Sequence, residues 1–134
     1  MRTKFAVVIA GLVLLTSART IVAHHSFSAE FDPDRPVKFT GKVTEMKWSN
    51  PHAWIYMDVT GDDGKVVSWS LEMTGANGLF RRGWRKEDLP VGTVLVVEGW
   101  QARNASPTAN IATVTLQDGR TLFAGSSNPA ARQQ

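Results

Sequence analysis

Apolar residues recur at every second position through the middle of the chain, and that period constrains the fold more tightly than any other feature. Val67, Trp69, Leu71 and Met73 alternate with Ser68, Ser70 and Glu72, the pattern of a strand with one face in a core and the other outside it. Residues 52–59 repeat the pattern, with Ala53, Ile55, Met57 and Val59 on one face and His52, Trp54, Tyr56 and Asp58 on the other. Upstream, Val37, Phe39 and Val43 share a face, but by Met46 and Trp48 the apolar phase has switched. A phase switch inside one long strand predicts a bulge or sharp bend, and Gly41 lies close by. Asn50 with Pro51, and Gly61 to Gly64, supply the intervening turns.

One stretch, residues 76–82, reads as a short helix, with Thr74 or Asn77 as its cap and Gly83 as its stop. Strands at 94–103 and 109–116 follow, and Asp118 with Gly119 turns the chain into residues 120–123. Three strands with the first long and bent, one helix, then two strands predict an all-β domain. The order fits a small OB-like five-stranded barrel with the helix between the third and fourth strands; a small β-sandwich is the alternative. Trp69 and Leu71 are expected in the core, while Trp69, Trp84 and Trp100 are expected to cover its edge.

The amino terminus has a different character. Arg2 and Lys4 precede an apolar run from Phe5 to Leu15, and small or polar residues lead to Ala23. This is the order of a secretory signal, so residues 1–23 are expected to be removed on export to the periplasm or medium, with a cut before Arg19 as the competitor. The run is shorter than the ~20 residues of a membrane span, and no later stretch is as apolar. Residues 24–124 then form the domain, and residues 125–134 a loose polar tail.

Arg2, Lys4 and Arg19 account for the whole net charge of +3. Without them acids and bases balance, which removes the electrostatic case for a nucleic-acid partner. The chain has no cysteine, so disulfides and thiolate metal sites are excluded.

The strings HHSFSAEFD from His24, NPHAWIY from Asn50, LFRRGW from Leu79 and DGRTLFAGSS from Asp118 occur together in this order. Through them the chain resembles a family of small exported bacterial proteins, the domain-of-unknown-function family numbered 6152. The resemblance spans nearly all of residues 24–134. It implies an exported, β-barrel-like domain and carries no activity with it.

Three groups of residues can carry chemistry. Histidine occurs only at His24, His25 and His52. If processing exposes His24, its amine and imidazole together with His52 supply three nitrogens, a histidine brace whose donors and tetragonal geometry suit Cu(II), with His25 auxiliary. The competing reading is solvated histidines beside a cleavage site and a hydrogen-bonded His52 in a turn. Arg81 and Arg82, with Arg85 and Lys86, can hold an anionic ligand or complement a helix dipole. Trp54 and Tyr56, with Trp48 nearby, can form a stacking platform for a glycan or base, or cover the core. No nucleophile elbow, HExxH or phosphate loop is present, so the reading leans away from an enzyme. The strand carboxylates Glu45, Glu72 and Glu98 are expected to face solvent. An envelope protein or glycan is the expected partner if no metal binds.

The signal reading makes a direct prediction. Intact mass spectrometry of the exported protein should give a chain that starts at His24; a start at Arg19 would bury both histidines inside the chain and abolish the brace.

Overall fold

The structure, a computed structural model, describes residues 27–125. The expected signal, His24, His25 and the tail after Gly125 lie outside these residues. The chain divides into two compact units, 1–30 and 31–134; of the first, residues 27–30 form a turn of helix. Among the described residues no helix is long and apolar enough to cross a membrane.

The second unit is mostly β. Its strands are β1 (Phe31–Lys47), β2 (His52–Thr60), β3 (Val66–Thr74), β4 (Val94–Ala102), β5 (Thr108–Leu116) and β6 (Thr121–Phe123). A short helix α1 (Ala76–Arg81) and a 3-10 turn (Lys86–Asp88) fall between β3 and β4. The expected helix is therefore present. The strand count differs from the five expected, because the segment after the Asp118 and Gly119 turn pairs with β5 as a sixth strand. All six belong to one sheet.

Pairing runs antiparallel from β3 to β2, β2 to β1, β1 to β4 and β4 to β5. A three-residue parallel ladder, Ser70 to Glu72 against Thr108 to Asn110, joins β5 back to β3. The pairings thus form a ring. Beyond this ladder the same edge of β5 takes β6, in register from Thr113 with Phe123 to Thr115 with Thr121. Ala124 completes the seam: its N–H donates to Ala112 and its carbonyl accepts from Thr74.

Strand β1 serves two neighbours, pairing with β4 over most of its length and with β2 from Lys42 onward. The expected irregularity is there: the β1–β2 register shifts between Val43 and Glu45, so the extra residue swaps the face that follows and turns Met46 and Trp48 toward the core. Gly41 permits the close approach. A Cβ there would meet the Met57 side chain and lie 2.7 Å from the Asp58 carbonyl oxygen.

The apolar faces of β2 and β3 meet those of β4 and β5. Ala53, Ile55, Met57, Leu71, Met73, Leu95, Val97, Ala109, Ile111 and Val114 are buried, with Leu79 from α1. Trp84, expected at the edge of the core, is fully buried, and its indole N–H donates to the Phe123 carbonyl at 3.1 Å. Trp69 packs against the core only in part, its ring 4.6 Å from that of Phe39. Leu71 is buried as expected.

The start of α1 is also built differently from expectation. Its N-cap is Gly75, with no side-chain cap bond; neither Thr74 nor Asn77 supplies one. Instead the Asn50 side-chain oxygen accepts from the Asn77 N–H at 3.2 Å, so the β1–β2 turn satisfies a helix donor that has no partner within the helix. Gly83, at φ 90°, stops the helix as expected.

These positions order the tryptophans by energy. Trp84→Ala empties a sealed site and orphans the Phe123 carbonyl, and should cost about 3–5 kcal/mol; Trp69→Ala should cost roughly 1–2 kcal/mol. Denaturant unfolding of the two variants checks the order, and equal losses would contradict it.

Candidate functional site

His52 opens β2 directly after the turn of Ser49, Asn50 and Pro51, whose Asn50–Pro51 bond is cis. The turn is tied down from several sides. Ser49 Oγ donates to the His52 carbonyl at 2.7 Å, and the Ser49 carbonyl accepts from the Ala76 N–H at 2.9 Å. Gly75 lies so close that a Cβ on it would collide with the Pro51 carbonyl. The backbone beneath His52 is therefore held by both its own turn and the start of α1.

The face of β2 that carries His52 looks away from the core. Cross-strand register sets its neighbours: Trp54 lies opposite Glu72, Glu72 opposite Asn110, and Asn110 opposite Trp100. Residues opposite one another share a face, so a row of tryptophan, carboxylate, amide and tryptophan crosses β2, β3, β5 and β4. The row below it holds Tyr56, Ser70 and Thr108.

Glu72, expected to face solvent, is only 8% exposed, and Asn110 only 2%. A buried carboxylate needs partners to offset its lost hydration. Asn110 Nδ2 donates to Glu72 Oε1 at 3.1 Å, and His52 Nδ1 lies 3.2 Å from the same oxygen. The Asn110 orientation follows from chemistry, since turning the amide over would set its oxygen against a carboxylate. Its Oδ1 is buried and, among the described residues, has no hydrogen-bond partner.

The His52–Glu72 contact also sets a tautomer. An ionised carboxylate only accepts, so the attractive arrangement puts the proton on Nδ1. In the neutral ring Nε2 then carries the lone pair. The imidazole side chain is 45% exposed while the carboxylate is 11% exposed: a half-exposed ring stands on a nearly buried acid. Metal-binding histidines use this arrangement, in which the second ring nitrogen donates to a carboxylate that fixes the ring and raises its basicity.

The other expected residues distribute as follows. Trp54 and Tyr56 are half-buried on the His52 face, whereas Trp48 packs on the core and leaves the platform. Arg81 and Arg82 are exposed, and Arg82 donates to the Gly125 carbonyl. Arg85 is turned to local use: its guanidinium lies 4.4 Å from the centre of the Phe80 ring and donates to the Trp84 carbonyl at 2.8 Å, while its backbone N–H donates to Asp88. Among the described residues no hydrogen bond or ion pair joins Arg81 or Arg82 to His52, Trp54 or Tyr56. His24 and His25 lie outside those residues, within which no group of three or more metal-ligating side chains occurs.

Glu72 and Asn110 are the site residues that sequence reasoning missed. Both sit on the polar side of an alternating strand, where solvent exposure is the ordinary expectation. A signal existed in Asn110 itself, an amide set between the apolar Ala109 and Ile111, but its partner is defined only by the β3–β5 ladder.

No curated protein and no solved structure matches the chain. Residues 11–111 match the Family of unknown function (DUF6152). With most of its length covered by that match, and with the strings around His52 and the helix falling inside it, the chain belongs to the DUF6152 family.

Proposed function

We propose that this protein is an exported, periplasmic binding module with an OB-like barrel, and that its ligand is a copper ion held by the amine and imidazole of His24 together with His52, with His25 auxiliary. The barrel reading draws support from the ring of pairings β1-β2-β3-β5-β4 and from α1 between β3 and β4. The observation that carries the metal reading is the His52–Glu72 contact, which engages Nδ1 and leaves Nε2 as the remaining nitrogen of a half-exposed ring. All-nitrogen ligation favours Cu(II) among the common divalent ions. In this reading Glu72 and Asn110 orient His52, and the chain's own amino terminus brings the remaining nitrogens.

A second reading, an envelope interaction module without metal, is favoured by exposed Arg81, Arg82 and Lys86 and by the half-exposed Trp54 and Tyr56. It assigns the partner to a protein, a glycan or an anionic ligand.

Copper titration separates the two. The processed protein should bind Cu(II) with electron paramagnetic resonance hyperfine structure from three nitrogens. His52→Ala, or one residue added before His24, should each weaken binding; if all forms bind alike, the interaction-module reading replaces this one. Glu72→Gln keeps every ligand and should still lower affinity about 10–100-fold. Acid should release the ion, since coordinating nitrogens must be unprotonated.

A further inference from the structure

Beginning at Trp100, the end of the row that holds Glu72 and Asn110, β1, β4 and β5 form a groove of about 470 Å³ on the outside of the sheet. Its shape comes from the backbone. The β4–β5 register shifts between Glu98 and Gly99, so that Glu98 lies opposite Thr113 and Gly99 opposite Ile111, with Ala112 extra. Gly99 has no room for a side chain, because a Cβ there would collide with the Asn110 carbonyl oxygen. Part of the wall is therefore bare main chain at Gly99.

The two ends of the groove differ in chemistry. At one end Trp100 lies opposite Pro36 across the β1–β4 ladder, giving two flat apolar surfaces. At the other, Lys38 lies opposite Glu98 and Glu98 opposite Thr113. Lys38 Nζ is 2.8 Å from Glu98 Oε1, and their side chains are 70% and 47% exposed. Such a pair contributes little to stability and gives up its mutual bond readily.

We propose that this groove binds a neutral pyranose ring of a glycan. A donor-only ammonium beside an acceptor-only carboxylate complements adjacent hydroxyls, each of which both donates and accepts. Thr113 adds a hydroxyl of its own. The local charge sums to zero, so neither an anion nor a cation is favoured. Trp100 and Pro36 take the C–H face of the ring, which is apolar although its rim is polar. The volume falls within the roughly 300–1,000 Å³ of preformed small-ligand sites. The site shares no residue with the proposed copper ligands and stands without that reading.

The test uses metal-free processed protein and, in parallel, its His52→Ala variant, so that a failure of copper binding leaves the result unaffected. Cellotriose, maltotriose and tri-N-acetylchitotriose are the neutral probes, and an oligogalacturonate and uridine are the comparisons. Amide chemical shifts and tryptophan fluorescence are the readouts. At least one neutral trisaccharide should produce saturable shifts at residues 37, 38, 98–100, 112 and 113, with a Kd of about 1 mM or tighter. Trp100→Ala should weaken it about tenfold or more. Glu98→Gln, Lys38→Met and Thr113→Val, which change only the rim and preserve the fold if Trp100→Ala does not, should each weaken it severalfold. No saturable shift by about 10 mM, shifts centred on Trp54 and Tyr56, indifference to all four substitutions, or preference for the anionic oligomer or the nucleoside would each overturn the assignment.

Discussion

Strand β1 has to be two strands at once, and the rest of the structure depends on how it manages this. Lys42 lies opposite both Asp58 of β2 and Val94 of β4, so both edges of its backbone are in use at one point. A straight strand would hold β2 and β4 in one flat sheet and leave β3 and β5 far apart. The bulge after Val43 increases the local twist, and Gly41 lets β2 pass closely. Together they turn the two arms of the sheet toward each other, until Ser70 to Glu72 can meet Thr108 to Asn110. The apolar faces of both arms then enclose one core.

That meeting also creates the unusual polar spot on the outside. Glu72 and Asn110 are brought opposite each other by the ladder that closes the ring, and there they are nearly shielded from water. Their hydrogen bond answers part of the desolvation cost, and His52 answers another part. The closure of the fold and the orientation of the imidazole are therefore one event. A residue that disturbs the β3–β5 register would disturb His52 without touching it.

What the sequence made legible follows the range of the interactions involved. Alternation in β2 and β3, the phase switch around Val43, the stop at Gly83 and the turn at Asp118 and Gly119 are local, and each has its counterpart in the structure. The helix donor satisfied by Asn50, the burial of Trp84 beneath β6 and the Glu72–Asn110 contact are not local. Trp84 illustrates the difference: after Gly83 and before Arg85 it has no strand period to place it, and only the Phe123 carbonyl explains where its indole rests. For the site, His52 was legible as a rare residue at a turn. Its carboxylate was not, because the strand pattern assigns Glu72 to solvent and only ring closure overrides that.

The seam at Ala124 bears on the order in which the molecule can be assembled. The β3 edge at Thr74 and the β5 edge at Ala112 are both satisfied by a residue near the end of the described chain. A chain delivered from its amino terminus, whether from a ribosome or through a membrane pore, can form the β1–β2–β3 meander early. It cannot close the ring until residues 108–124 arrive. Up to that moment the outer edge of β3 presents unpaired main-chain groups to its surroundings, the kind of edge to which other chains add themselves. The domain is thus a structure whose last residues act as its latch, and its most vulnerable interval is the time between delivery of Thr74 and delivery of Ala124.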